Sequence, residues 1–233
     1  MSERQVQRVL YFVALIGTLV FILTPVLFMV FMSFSDKPDF LGKSFVFTTR
    51  HFREILTTQS LHFPRYCLNS IIISAISAVV CTVFAGLGAY TVTRFQFPGR
   101  IGLLVAILAL SMFPQISIVG YLFRLIAGAG LINTYVGLIL PYTAWILPLS
   151  LWILISYFSR IPRDLDKAAF IDGCSPLRAL FHIILPVAAP GLFSTLLLAF
   201  ISAFNEFMFA LMMTTDFSAR TVPVGISLFQ GLH

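Results

Sequence analysis

From Tyr66 to Thr93 the chain reads YCLNSIIISAISAVVCTVFAGLGAYTVT, without a single Asp, Glu, Lys or Arg, between Arg65 on one side and Arg94 on the other. A helix crosses a hydrocarbon core of about 30 Å with about 20 mostly apolar residues, so this run is long enough to span a membrane. Four more runs of that kind follow the same rule, at Val9 to Met32, Ile101 to Phe123, Tyr135 to Phe158 and Pro190 to Met213. Only the last holds an acidic residue, Glu206. Strands of an outer-membrane barrel would instead alternate apolar and polar over about ten residues, and that alternation is absent. The first run is too long for a signal peptide and lacks a small-residue cleavage site, so it reads as a retained span. The fold class expected is therefore all-α, a polytopic membrane protein with five spans.

Composition agrees with that reading. Of 233 residues, 59% are hydrophobic and 10% charged, where a soluble domain carries roughly 25% charge. Such a chain could not cover a water-facing surface, which excludes a soluble enzyme, a secreted disulfide scaffold and a disordered tail. Cys67, Cys81 and Cys174 have no evident partners and imply no disulfide framework. The net charge of +6 comes from Lys and Arg spread through the connecting segments without a cluster. Dispersed loop charge sets membrane topology, and it indicates contact with lipid and not with nucleic acid.

With a cytoplasmic N-terminus the inner segments hold Arg4, Arg8, Arg94, Arg100, Arg160, Arg163, Lys167 and Arg178. The outer loops beyond the first then hold only Arg124 and Arg220. The first outer loop, Ser33 to Arg65, runs against the count with five basic residues, but it is long and also carries Asp36, Asp39 and Glu54. That distribution favours the N-terminus inside. Five spans then leave Val222-Pro223-Val224-Gly225 and the end at Gly231-Leu232-His233 outside, and a sixth span is expected beyond His233. Pro114, Pro141 and Pro148 each remove a backbone donor inside an expected span and should bend it. Membrane helices tolerate proline where neighbours satisfy the freed carbonyls, and bent helices also part around pathways in transporters.

The segment Arg160 to Pro190 is too polar to span. It reads as two short helices. Pro162 suits the first turn of one and Gly173 the position after its end, with Leu165, Ala168, Ala169 and Asp172 at i, i+3, i+4 and i+7. Asp164 and Asp166 favour its first turn through the helix dipole. Ser175 can cap a second helix opened by Pro176, whose stripe of Leu177, Leu180, Phe181 and Ile184 ends at Leu185-Pro186. At about 1.5 Å per residue neither helix reaches across a bilayer. Both are expected on its cytoplasmic face. Alanines and carboxylates on the first are not what lipid contact selects, and they suit close docking against another protein.

The run Asp164-Leu165-Asp166-Lys167-Ala168-Ala169-Phe170-Ile171-Asp172-Gly173, followed by Ile184-Leu185-Pro186 and Pro190, resembles the signature loop of membrane subunits of ATP-binding-cassette importers. In that loop Glu-Ala-Ala precedes Asp-Gly and later Leu-Pro. Gly88-Ala89-Tyr90, Arg94-Phe95, Phe97-Pro98-Gly99-Arg100 and Asn133-Thr134-Tyr135 are similar to the sugar-importer branch, of the maltose-permease G type. Two departures stand out: Lys167 replaces the family's Glu, so no salt bridge is carried over there, and the sixth span is absent.

The resemblance implies a single transmembrane domain over residues 1–233, with residues 160–189 as its cytoplasmic coupling loop. It implies that the helix from Arg163 to Gly173 seats in a cleft of a cytoplasmic ATPase, with Leu165, Lys167, Ala168, Ala169, Asp172 and Gly173 as the coupling residues. It further implies a second, different permease subunit, a pair of ATPase subunits and an extracytoplasmic solute-binding protein, in a cytoplasmic membrane. The chain itself contains no Gly-x-x-x-x-Gly-Lys-Ser/Thr phosphate loop, so ATP hydrolysis by that route must come from a partner. No cofactor is expected.

Glu206 follows Asn205 inside an expected span. A charge there costs a few kcal/mol, so such residues face a cavity or a partner. Glu206 and Asn205 are thus candidates for a translocation pathway, or Glu206 for a bond to a neighbouring helix. Gln115 faces the same cavity or glues helices together. Trp145 and Trp152 pack or anchor more readily than they stack on sugar. His51, His62 and His182 lack metal-ligand spacing, so no metal site is expected, and no nucleophile and base are spaced for catalysis. An ion-coupled transporter would need several ionisable groups in the spans, which are nearly uncharged. The same lack of charge favours a neutral sugar over amino acids, polyamines or phosphonates as cargo.

Overall fold

The computed structural model describes residues 3–35, 47–58 and 61–229. Asp36 and Asp39 of the first outer loop and the chain end Gly231-Leu232-His233 lie outside them. Most of the described residues are helical, and the β structure among them is an isolated bridge between Ser35 and Phe47, as the composition requires of a backbone with no water to bond to.

The chain divides into two units, residues 1–61 and 62–233. In the first, α1 (Glu3–Ser33) carries the apolar stretch Leu10–Ser33. The short α2 (Arg50–Thr57) follows, with Phe34 stacked on Phe47 at 5.2 Å and tilted against Phe52 at 5.1 Å. His51 Nε2 lies 3.1 Å from the carbonyl of Ser35.

In the second unit, α3 (Phe63–Arg94) is the central helix. One stripe of it is buried, including Ser70, Ser74, Ser77, Ala78, Ala85 and Ala89, a three-and-four spacing that places them on one face. Small residues let backbones approach where lipid offers no hydrophobic drive. Along that stripe lie α6 (Tyr135–Phe158) and α9 (Leu185–Phe204). The same device recurs between α6 and α9: a Cβ on Gly191 would sit 2.5 Å from Cγ of Tyr157.

The expected third span is two helices. α4 (Arg100–Ser111) and α5 (Gln115–Gly128) meet at 94° around Pro114, which stands just before α5 with ψ 135°. The missing donor and fixed φ of proline explain the break. Pro141 and Pro148, expected to act alike, leave α6 unbroken. Thr134 caps it by accepting from the amide of Gly137 at 3.1 Å.

α6 leads to α7 (Asp164–Ile171), the expected first short helix. The second short helix is corrected by the structure. α8 (Pro176–Ala179) does begin at Ser175, whose hydroxyl accepts from Arg178 N at 3.4 Å. It does not end at Leu185-Pro186. A π turn, Leu180–Ile184, carries it into α9, so one helix runs from Pro176 to Phe204 and is long enough to cross a membrane. Pro186 lacks only an amide near the start of α9, and the wider π turn absorbs the mismatch. The expected span Pro190 to Met213 is shifted accordingly: α9 stops at Phe204, and α10 (Met208–Met213) is separate. α11 (Val222–Phe229) ends the described chain.

Two apolar clusters fill this unit. Leu154, Phe158, Leu180 and Ile184 belong to one, beside α7. Ile73, Leu138, Tyr142 and Phe209 belong to the other, toward the opposite end.

Candidate functional site

α7 is eight residues long and too short to span. What it presents and what it grips are separated around its axis. Asp166 and Ala169, one turn apart, are buried at 6% and 1% exposure. Leu165, Phe170 and Ile171 stay open, Ile171 at 86%. Of the face expected to dock, Leu165, Ala168 and Asp172 are exposed while Ala169 turns inward. Lys167 is also exposed, and its ammonium bonds Asp164 Oδ1 at 2.8 Å. That contact, the larger cause, holds the Asp164 carboxyl below its ordinary value. The pair is fully solvated and adds little.

Gly173 behaves as expected. Its φ of +81° is left-handed, and the two bonds that close such a helix end are both present. Cys174 N donates to Ala169 O at 2.9 Å and Gly173 N to Phe170 O at 3.1 Å. A branched residue would strain this elbow.

The buried side of α7 is held by residues that the spacing of the loop alone does not single out. Arg94, in the last turn of α3, sets its Nε 3.0 Å from Asp166 Oδ2, with both side chains below a tenth exposed. Its two terminal nitrogens each donate to the carbonyl of Ile161 at 3.2 Å. In return Arg163, just before α7, donates to the carbonyl of Thr93 at 2.9 Å. Outside that clasp, the Tyr90 hydroxyl donates to Pro176 O at 3.2 Å, at the head of α8. Arginine suits this place because its planar fork serves a carboxylate and a carbonyl together. A cavity of about 170 Å³, lined by Tyr90, Arg94, Arg163, Asp166 and Phe170 among others, opens between α3 and α7. Apolar packing there is incomplete, so polar bonds do the holding. The signal was present in sequence as an Arg at the end of an uncharged run, but nothing in spacing pairs position 94 with position 166.

At the other end of the unit, the segment between α10 and α11 is held chiefly by neutral groups, beside the Arg65 guanidinium that lies over the Phe217 ring at 5.5 Å. Asn69, fully buried, donates to the carbonyls of Ser218 at 3.1 Å and Arg220 at 3.0 Å, and accepts from the Tyr135 hydroxyl at 2.6 Å. Asn133 accepts from Thr215 N at 2.6 Å. Glu206 stands at the break before α10, 7% exposed, and accepts from Phe209 N at 3.0 Å and Ala210 N at 3.3 Å. Its carboxylate thus satisfies amides that the interrupted helix leaves open. Its neighbour Asn205 is exposed and bonds its own helix at Ile201 O, 2.8 Å. Gln115, half-buried, is the first residue of α5. Trp145 packs edge-on against Phe209 at 6.1 Å, and Trp152 is about half exposed. Among the described residues no His, Cys, Asp and Glu cluster could hold a metal ion.

Comparison with known proteins places this geometry. Residues 82–229 match the family described as binding-protein-dependent transport system inner membrane component. Over its full length the chain is 51% identical to a trehalose/maltose transport system permease protein of Thermococcus litoralis, covering 85% of that protein. It is 35% identical to a sulfoquinovosyl glycerol transport system permease protein of Agrobacterium fabrum, across 90% of this chain and 74% of the relative. A bacterial ABC transporter involved in import of the acidic polysaccharide alginate has a chain of the same fold, at TM-score 0.81 and 20% identity, covering 100% of this chain and 83% of that one.

Proposed function

The chain belongs to the binding-protein-dependent transport system inner membrane components, and we propose that within this family it is a permease subunit that passes a carbohydrate across the cytoplasmic membrane by alternating access. It is a multi-pass membrane protein. The sugars in the names of its relatives support a carbohydrate cargo, and its nearly uncharged long helices suit a neutral one. In this reading the N-terminus and the α7 end face the cytoplasm, and the end that carries Asn69 and Asn133 faces outward. The whole chain acts as one transmembrane domain, with residues 160–189, α7 and the start of the α8 to α9 helix, as its coupling region. It works beside a second, different permease subunit, ATPase subunits and an extracytoplasmic binding protein. Gln115, Asn205 and Glu206 belong to the pathway or its gate.

One observation carries the reading: α7 is clamped through Asp166 while Leu165, Phe170 and Ile171 remain open on a helix that cannot enter the bilayer by itself. An apolar surface so held calls for a protein partner. Leu165, Lys167, Ala168 and Asp172 set that contact from the open face and Gly173 shapes it by its left-handed turn, while Ala169, expected to share it, packs α7 inward. Closure of the ATPase pair then displaces α7 and tilts the spans.

The test is Gly173→Val in the complete reconstituted complex. The left-handed turn costs a non-glycine residue about 1 to 2 kcal/mol, so α7 should leave its seat while the protein still inserts. Binding-protein-stimulated ATP hydrolysis and sugar uptake should both fall strongly, and Arg178→Ala, on the exposed side of α8, should change them little. Normal stimulation with Gly173→Val would remove α7 from the mechanism.

A further inference from the structure

Two routes lead from α7 into the long helices. One follows the chain: through the elbow at Gly173, past the cap at Ser175, and through the π turn Leu180–Ile184 into α9. The other leaves the chain and crosses to α3. The first passes through a left-handed residue and an irregular turn, both points where torsion can be absorbed. The second has no such joint. The Arg94 guanidinium reaches both the Ile161 carbonyl before α7 and the Asp166 carboxylate within it, and Arg163 returns a bond to the Thr93 carbonyl. Two groups on the α3 side and three on the α7 side are thus joined across the gap, with the central pair removed from water. Buried pairs are weakly screened and depend on close geometry, so α7 cannot shift against α3 without stranding a charge.

We infer that Arg94 is the positioning residue that makes α7 and the end of α3 move as one body, so that displacement of α7 enters the spans through α3, ahead of the α9 that follows it in sequence. Resting on the proposed coupling role of α7, the inference adds which helix receives the motion and which side chain delivers it. The location of α3 gives this consequence. It lies against both α6 and α9 along a stripe of small residues, so moving its end levers both neighbours.

The experiment compares three variants in the reconstituted complex: Arg94→Met, the double Arg94→Met with Asp166→Leu, and Tyr90→Phe. The readout is ATP hydrolysis with loaded binding protein divided by hydrolysis without it, per assembled complex. The single variant strands the Asp166 charge and is expected to lower the yield of complex. The double variant removes that charge and should recover the yield, yet the ratio should still fall about tenfold, within the usual size of a coupling effect. Tyr90→Phe cuts only the bond from α3 to Pro176, at the head of the α8 to α9 helix, and should leave the ratio unchanged. The inference is overturned if the double variant assembles and keeps the wild-type ratio, or if activity falls only in proportion to assembled complex. It is equally overturned if Tyr90→Phe lowers the ratio as much as the double variant does. A wild-type complex in which no ATPase binds this chain would instead overturn the coupling role of α7 itself.

Discussion

The two ends of the larger unit solve one problem by opposite chemistry. At the α7 end a connecting segment is held by charge: Arg94 with Asp166, and Arg163 on a backbone carbonyl. At the other end the segment between α10 and α11 is held by neutral amides, Asn69 and Asn133, on carbonyls and backbone amides. A buried ion pair tolerates little misalignment, because either charge left alone is costly. Neutral amide bonds can be exchanged at lower cost. The difference marks the α7 end as a rigid joint and the other as a fold closure. Variants at either end put that contrast to the test.

The largest effect is expected from Asp166→Ala, which leaves the Arg94 cation buried and unpaired. Unfolding of the purified complex in mixed micelles should show a loss of about 3 to 5 kcal/mol. A loss no greater than that of an exposed substitution would erase the contrast between the ends. Next comes Asn69→Leu, which keeps the volume but abandons the carbonyls of Ser218 and Arg220 and the Tyr135 hydroxyl. The same measurement should register about 2 to 3 kcal/mol. A cost equal to that of Asp166→Ala would mean that neutral and charged clasps are equivalent here.

Glu206 sharpens the comparison, since it is a carboxylate at the neutral end. Glu206→Leu leaves the amides of Phe209 and Ala210 unbonded, at about 1 to 2 kcal/mol. Glu206→Gln retains one acceptor and should cost clearly less in the same assay, and a larger loss with Gln than with Leu would mean that capping is not what the carboxylate does.

The smallest effect belongs to the exposed pair of Asp164 with Lys167. The Asp164 carboxyl lies below its usual 3.8 through Lys167, and Asp216 at the other end lies below its own chiefly through Ser218. A depressed carboxyl contributes stability that is present above the unfolded value and lost as pH falls through the folded one. The window is therefore below about pH 4. Stability curves of wild type and Lys167→Ala should therefore differ at most slightly above about pH 5 and converge as pH falls below about 4, and a large gap at neutral pH would show a burial of this pair that the fold does not provide.

The amino-acid sequence alone determined the membrane class, the all-α architecture, a bend at Pro114 and the turn at Gly173, but not that Pro141 and Pro148 leave α6 unbroken. Each rests on a local property: uncharged length, a missing amide, a missing Cβ. Sequence also located α7, because a helix of that polarity between apolar runs has few places to go. That Pro176 to Phe204 is one helix is not legible in the sequence, since a proline near a helix start and a π turn leave no compositional mark that tells a stop from a continuation. Glu206 was legible as an unusual carboxylate, but its acceptors could not be read, because the end of α9 depends on packing against α3 and α6. The Arg94 to Asp166 pair was the least legible of all. Only tertiary structure brings the last turn of α3 to the side of α7, for contacts between residues so far apart in the chain are set by how helices pack and not by any periodicity within them.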